Sequence, residues 1–240
     1  MENHQVIAEN LAASSVPGFR RNQPSFESYL SPMVQNQSQG SANEIPGMQP
    51  PMVPQMQVTT DFTPGQLEPD GNPTHLAISG DGFFVVGTPD GSGQGYTRNG
   101  SFHVNPQGEL VTSEGWTLMT DSGQPLTLPK PGSPFTVNST GDVSQGKDLI
   151  GKITVASFDN APQQLSPIGD GVFVSTNGTT AGPMPADTAL HQGFLESSNV
   201  NSVQEMVSMI QAARLYEANQ KMLKATDGTM DQIINKLPAR

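Results

Sequence analysis

Four histidines, His4, His75, His103 and His191, are the side chains best suited to hold a metal ion, and they are scattered without a recognised ligand spacing. Asp81, Asp90, Asp142 and Asp170 each adjoin a glycine and read as turn residues, whose carboxylates bond nearby backbone. Paired carboxylates for glycoside hydrolysis are defined by separation in space, and nothing in the sequence marks out a pair. Gly91-Ser-Gly93-Gln-Gly95 resembles a phosphate loop only in its glycines. It lacks the Lys and Ser/Thr that follow such a loop, and its spacing is wrong for a dinucleotide fingerprint, so it reads as a hairpin tip. There is no Gly-x-Ser-x-Gly elbow. Trp116, the sole tryptophan, reads as a core residue rather than a sugar-stacking platform. The expectation is a chain that is not an enzyme and takes no metal and no cofactor.

Composition explains what the chain does instead. Only 34% of the 240 residues are apolar and 14% charged, while 25 Gly and 21 Pro punctuate the chain. That suits many short strands and loops better than a helical enzyme. There is no Cys, which excludes disulfides and thiolate zinc sites. The net charge of -11 is concentrated in residues 61–198, where 14 acids face 4 bases; residues 199–240 hold 4 acids and 5 bases. The middle is a solvated acidic body, the C-terminal segment is built to pack, and nucleic-acid binding is excluded for want of clustered Lys and Arg. The N-terminus shows no signal-peptide pattern, and no run of 18 apolar residues could enter a membrane.

The expected fold is mainly β with terminal α-helices: a discontinuous helical domain from both chain ends and a β-rich, barrel- or sandwich-like body. Residues 1–30 form an N-terminal helix, with Val6, Ile7 and Leu11 as its apolar edge and Asn10 beside it, then a segment that runs irregularly after Pro17-Gly18 and pairs with 199–240. Residues 31–58, rich in Pro, Gln and Asn, read as an extended linker. Residues 59–198 read as all-β, with strands at 76–78, 83–86, 96–98, 101–104, 109–112, 116–119, 135–137, 153–158 and 171–174. Asp90-Gly91, Asn99-Gly100, Asp170-Gly171 and Asn177-Gly178 read as turns. Residues 200–237 read as one long helix, capped by Asn199 or Ser202. Its apolar positions Met209, Tyr216, Leu223, Met230 and Leu237 recur every seven residues, with Ala212, Asn219, Thr226 and Ile233 three residues on.

A helix of that length spans about 57 Å, whereas the N-terminal helix covers about 20 Å of it. More than half of the stripe is left over, so it must meet another copy or another protein, unless the helix folds back across the β body. Heterologous contacts of this kind build open filaments. The competing reading is a monomeric β-rich surface binding module, an adhesin with a helical stalk.

Three blocks carry a resemblance that favours the first reading. They are Glu9-Asn-Leu-Ala-Ala-Ser-Ser-Val-Pro-Gly-Phe-Arg-Arg21, then Leu76-Ala-Ile-Ser-Gly-Asp-Gly-Phe-Phe-Val-Val86 with Tyr96-Thr-Arg-Asn-Gly-Ser-Phe102 and Gly108-Glu-Leu-Val-Thr112, and Glu196-Ser-Ser-Asn-Val-Asn-Ser-Val-Gln-Glu-Met-Val-Ser-Met-Ile210 with Arg214, Tyr216, Glu217 and Asn219 after it. In content and order they resemble the flagellar basal-body rod proteins of the rod and hook axial family. Glu9, Ala13 and Val16 stand where that family favours Asn, Asn and Thr. The resemblance implies a subunit of the hollow, periplasm-spanning rod that transmits torque, of proximal or distal type. It also implies passage through the flagellar type III export apparatus without a cleaved leader, and partnership with other copies and other rod proteins. The residues expected to carry assembly are Ile7, Asn10, Leu11, Gly18, Phe19, Asn199, Val200, Met209, Tyr216, Leu223, Met230 and Leu237.

Overall fold

The computed structural model describes residues 2–30, 52–89, 93–130, 132–169, 171–176 and 181–236. The chain is mainly β, with a helix at each end. The N-terminal helix, Glu2–Ala12, closes with Ser14 donating to the Leu11 carbonyl. The C-terminal helix, Ser202–Lys236, starts at a cap that is neither Asn199 nor Ser202: Asn201 Oδ1 accepts from the Gln204 amide at 3.1 Å. Leu237 lies outside the described residues, as do the Asp90-Gly91 and Asn177-Gly178 turns and Asp170.

The body is organised around β5 (Phe83–Gly87), which is buried on both faces. Its alternate residues divide between two clusters. Phe84 and Val86 join Leu76, Phe102, Leu110 and Leu118, while Phe83 and Val85 join Tyr96, Leu165 and Phe173. The unbroken apolar run Phe83-Phe-Val-Val86 follows from this burial, because neither face meets water. β5 pairs with β6 (Gln94–Thr97) in a hairpin whose tip carries the glycine-rich segment; residues 90–92 of it lie outside the described residues. Trp116 packs against the first cluster, as its expected core role requires.

The largest sheet runs in the order β14 (Leu165–Gly169), β15 (Val172–Ser175), β6, β5, β9 (Thr117–Leu118), β8 (Leu110–Val111), β7 (His103–Val104). This path is open: among the described residues its two ends do not pair, so the sheet does not close into a barrel. Asn99-Gly100 is not the hairpin tip that its sequence suggests. Asn99 is buried, and Gly100 has no positive φ. Gly100 is glycine because the chain crosses there on Leu76, and an added Cβ would sit 1.6 Å from the Leu76 carbonyl oxygen.

The segments 22–30 and 52–60, expected as irregular chain and linker, form instead an antiparallel pair, β1 (Asn22–Leu30) and β2 (Met52–Thr60), in register from Asn22 opposite Thr60 to Leu30 opposite Met52. Such an arm is about 30 Å long. Pro24 and Pro54 hide the strand pattern in sequence. A two-stranded ribbon tolerates them, since each strand has an unpaired side where a missing N–H costs nothing. The remainder of the expected linker, residues 31–51, lies outside the described residues.

Candidate assembly interface

The two helices, the arm and the body meet at one polar joint, built by the residues that flank Pro17-Gly18. Gly18 is buried in a left-handed conformation, φ +67°, and donates to the Glu196 carbonyl at 2.7 Å. A Cβ there would lie 2.3 Å from the Arg98 carbonyl carbon. Both the conformation and the contact therefore demand glycine. This close approach places Arg20 and Arg21 on opposite sides of the joint.

Arg20 points into the body. Its Nη2 lies 2.6 Å from Glu196 Oε1 as a charge contact outside hydrogen-bond geometry, with both side chains buried. Arg98 meets the same carboxylate from the other side, Nη1 to Oε2 at 3.1 Å, and its Nη2 donates to the Gly80 carbonyl at 2.7 Å. The Gly65 amide donates to Glu196 Oε1 at 2.8 Å. Burial disfavours the Arg98 cation, and Glu196 offsets part of that penalty. One carboxylate thus holds two buried guanidiniums, a geometry in which removing the acid leaves two uncompensated charges.

Arg21 points to the C-terminal helix, and its Nε donates to Glu205 Oε1 at 2.6 Å. Asn199 ties the three parts together. Its Oδ1 accepts from the Arg21 amide at 2.7 Å, and its Nδ2 donates to the carbonyls of Asp61 and Thr63, each at 2.9 Å. Asn10 does the same for the arm, with Nδ2 donating to the Asn22 carbonyl at 2.7 Å and Oδ1 accepting from the Asn22 amide at 2.8 Å. Thr60 donates to Asn22 Oδ1 at 3.0 Å, closing the base of the ribbon. Asp61 is held below the usual carboxylate range, first by the Thr63 hydroxyl and then by the Thr63 amide.

Of the residues expected to carry assembly, Asn10, Gly18 and Asn199 therefore come together inside the chain's own joint. Ile7 is buried and lines a groove between the two helices with Ala212 and Tyr216. Leu11, Phe19 and Val200 are half-buried. Met209, Tyr216 and Leu223 are exposed on the C-terminal helix, and the Met230 side chain lies outside the description. The N-terminal helix spans only about 16 Å against about 52 Å for its partner. Every side chain from residue 213 through 229 is exposed, so the helix does not fold back across the body. Sequence reasoning missed Arg20, Arg98, Glu196, Arg21 and Glu205. The only signal was the presence of charged residues inside apolar blocks of a chain otherwise poor in charge.

Residues 191–237 match the family described as flagellar basal body rod FlgEFG protein C-terminal, and residues 77–145 match the flagellar hook protein FlgE/F/G D1 domain. Flagellar basal-body rod protein FlgG of Buchnera aphidicola subsp. Baizongia pistaciae is 35% identical over 258 aligned positions, which cover 98% of this chain and 92% of the relative. Flagellar basal-body rod protein FlgF of Caulobacter vibrioides is 34% identical over 222 positions, covering 92% and 86%. FlgF of Mesorhizobium japonicum is 29% identical over 237 positions, covering 98% and 91%. The chain belongs to the flagellar basal-body rod protein family, a family of structural subunits rather than enzymes.

Proposed function

We propose that this chain polymerises through its terminal helices into the hollow axial rod of the flagellum, together with other rod proteins, and transmits torque through the seams between subunits. The observation that carries the proposal is the C-terminal helix, exposed from residue 213 through 229 with Leu215, Tyr216, Met222 and Leu223 facing solvent. Burying one such side chain is worth about 2 kcal/mol. Several together offset the cost of holding two subunits in one place. The seven-residue recurrence of Met209, Tyr216 and Leu223 suits knobs-into-holes packing, which resists shear. The two helices form one discontinuous domain inside the polymer, and the acidic body stays solvated outside it. The chain reaches the rod through the flagellar export apparatus without loss of a leader, as family membership suggests.

Relatives named FlgG and FlgF both match over 92% to 98% of the chain, so the reading covers a proximal and a distal place in the rod alike.

Sedimentation velocity across a concentration series tests the polymerisation. The chain should be a monomer when dilute and form long polymers, alone or with rod partners, when concentrated. A chain that stays monomeric at all concentrations and with all rod partners would fit the binding-module reading instead.

A further inference from the structure

The first turns of the C-terminal helix carry a second apolar face that the seven-residue stripe does not include. Val203, Met206, Val207 and Ile210 fall at i, i+3, i+4 and i+7, the spacing of a single helix face. They are 48% to 67% exposed. Buried Glu205 and half-buried Ala212 mark the side that faces Arg21 and the N-terminal helix. At 3.6 residues per turn, the second face lies about 160° around the helix from that side. The root of the helix therefore carries an exposed apolar face opposite its covered, largely polar side.

We propose that this root face is the docking surface for the distal part of the same helix in a second copy of the chain. The inference rests on the rod reading and specifies which surfaces meet. Tyr216 and Leu223 share the covered side of the root; Tyr216 touches His4 of the N-terminal helix edge-on yet keeps 44% of its surface exposed, and Leu223 lies beyond that helix altogether. They are seven residues apart, as are Val203 and Ile210. In a parallel pairing shifted by 13 residues, Tyr216 of the incoming helix meets Val203 and Leu223 meets Ile210. The same shift sets Asp227 against Arg214, which lies on the root-face side of the helix one turn beyond Ile210. Among the described residues neither of these charges is in an ion pair within its own chain. One register thus satisfies two apolar pairs and one charge pair, with an axial stagger of about 20 Å. Because the two surfaces differ and point in opposite directions, the contact is head-to-tail and does not close on itself, which is the geometry of an open filament.

Two aspartate variants test this. Ile210→Asp removes the root face and Leu223→Asp the distal one. Both sites are exposed, so the melting of the β body serves as a control for folding and should not change. Each variant alone should be monomeric at concentrations where the unsubstituted chain polymerises. Their equimolar mixture should give a species of twice the monomer mass and nothing larger, since one intact contact remains between the two kinds of molecule. The chain has no cysteine, so an Ile210→Cys, Leu223→Cys double variant should cross-link into ladders on mild oxidation. Polymerisation of Ile210→Asp as readily as the unsubstituted chain would overturn the root face and leave the rod reading intact. Dimers of Leu223→Asp alone would show root-to-root pairing and overturn the head-to-tail contact. A mixture that stays monomeric, or a double variant without ladders, would overturn this occupant. An unsubstituted chain that never polymerises would remove the rod reading and this inference together.

Discussion

Replacing Glu196 with alanine should destabilise the joint by about 3–5 kcal/mol, the cost of leaving a buried charge without its partner. Glu196 is the only carboxylate paired with Arg20 and Arg98 among the described residues, and all three side chains are buried. Removing the acid therefore strands two cations rather than one. The backbone also suffers, because the Gly65 amide loses its acceptor and the strands that lead into the C-terminal helix lose an anchor. In a domain of this size the loss corresponds to about 10 °C in melting temperature. Circular dichroism during thermal unfolding measures it, and the Gln variant serves as a milder control that keeps an acceptor for Gly65. The damage should appear as a loosened connection between body and helices, with the β5-centred core still folding. A loss below about 1 kcal/mol would mean that the ion triad contributes little to holding the joint.

Leu223→Asp should abolish polymerisation without changing the melting of the β body. Leu223 is 65% exposed and lies well beyond the N-terminal helix, so within one chain it contributes almost nothing to stability. In a seam it is an apolar knob, and an aspartate in its place brings an unpaired charge into the contact. Truncations at the centre of an interface cost 2 kcal/mol or more, roughly thirtyfold in affinity per contact. A polymer repeats the same contact in every subunit, so the loss compounds. Sedimentation and electron microscopy read the polymer, and thermal unfolding reads the body. A fall in body stability would show instead that the helix packs on its own chain.

The parts of this molecule that were legible in sequence are those written in period and order. The seven-residue recurrence from Met209 to Leu223 gave the long helix and its surplus apolar edge. The Phe83–Val86 run gave the central strand. The blocks around Gly18, Gly82 and Asn199 gave the family. The arm was not legible, because Pro24 and Pro54 interrupt the alternation that would have marked β1 and β2. β14 was hidden by Pro167, which the strand accommodates at a register shift. Asn99-Gly100 misled, because glycine there answers to a close approach by Leu76 rather than to a turn. Asn10, Gly18 and Asn199 were singled out for assembly, and within the chain they hold its own joint. Their partners, Asn22, Arg98 and Arg21, are determined by the fold and not by spacing. The ion triad joins residues 20, 98 and 196, which no local pattern could connect.

Amide hydrogen exchange across residues 213–229, measured in dilute solution and again in the polymer, tests the central claim most directly. Exposed helix without a tertiary partner opens locally at little cost. Dilute protein should therefore exchange these amides far faster than those of Phe83–Gly87, and assembly should slow them by at least about tenfold while leaving the body unchanged. Slow exchange through 213–229 in the dilute monomer, at the level of the central strand, would contradict the account, since it would mean that the chain protects its own helix.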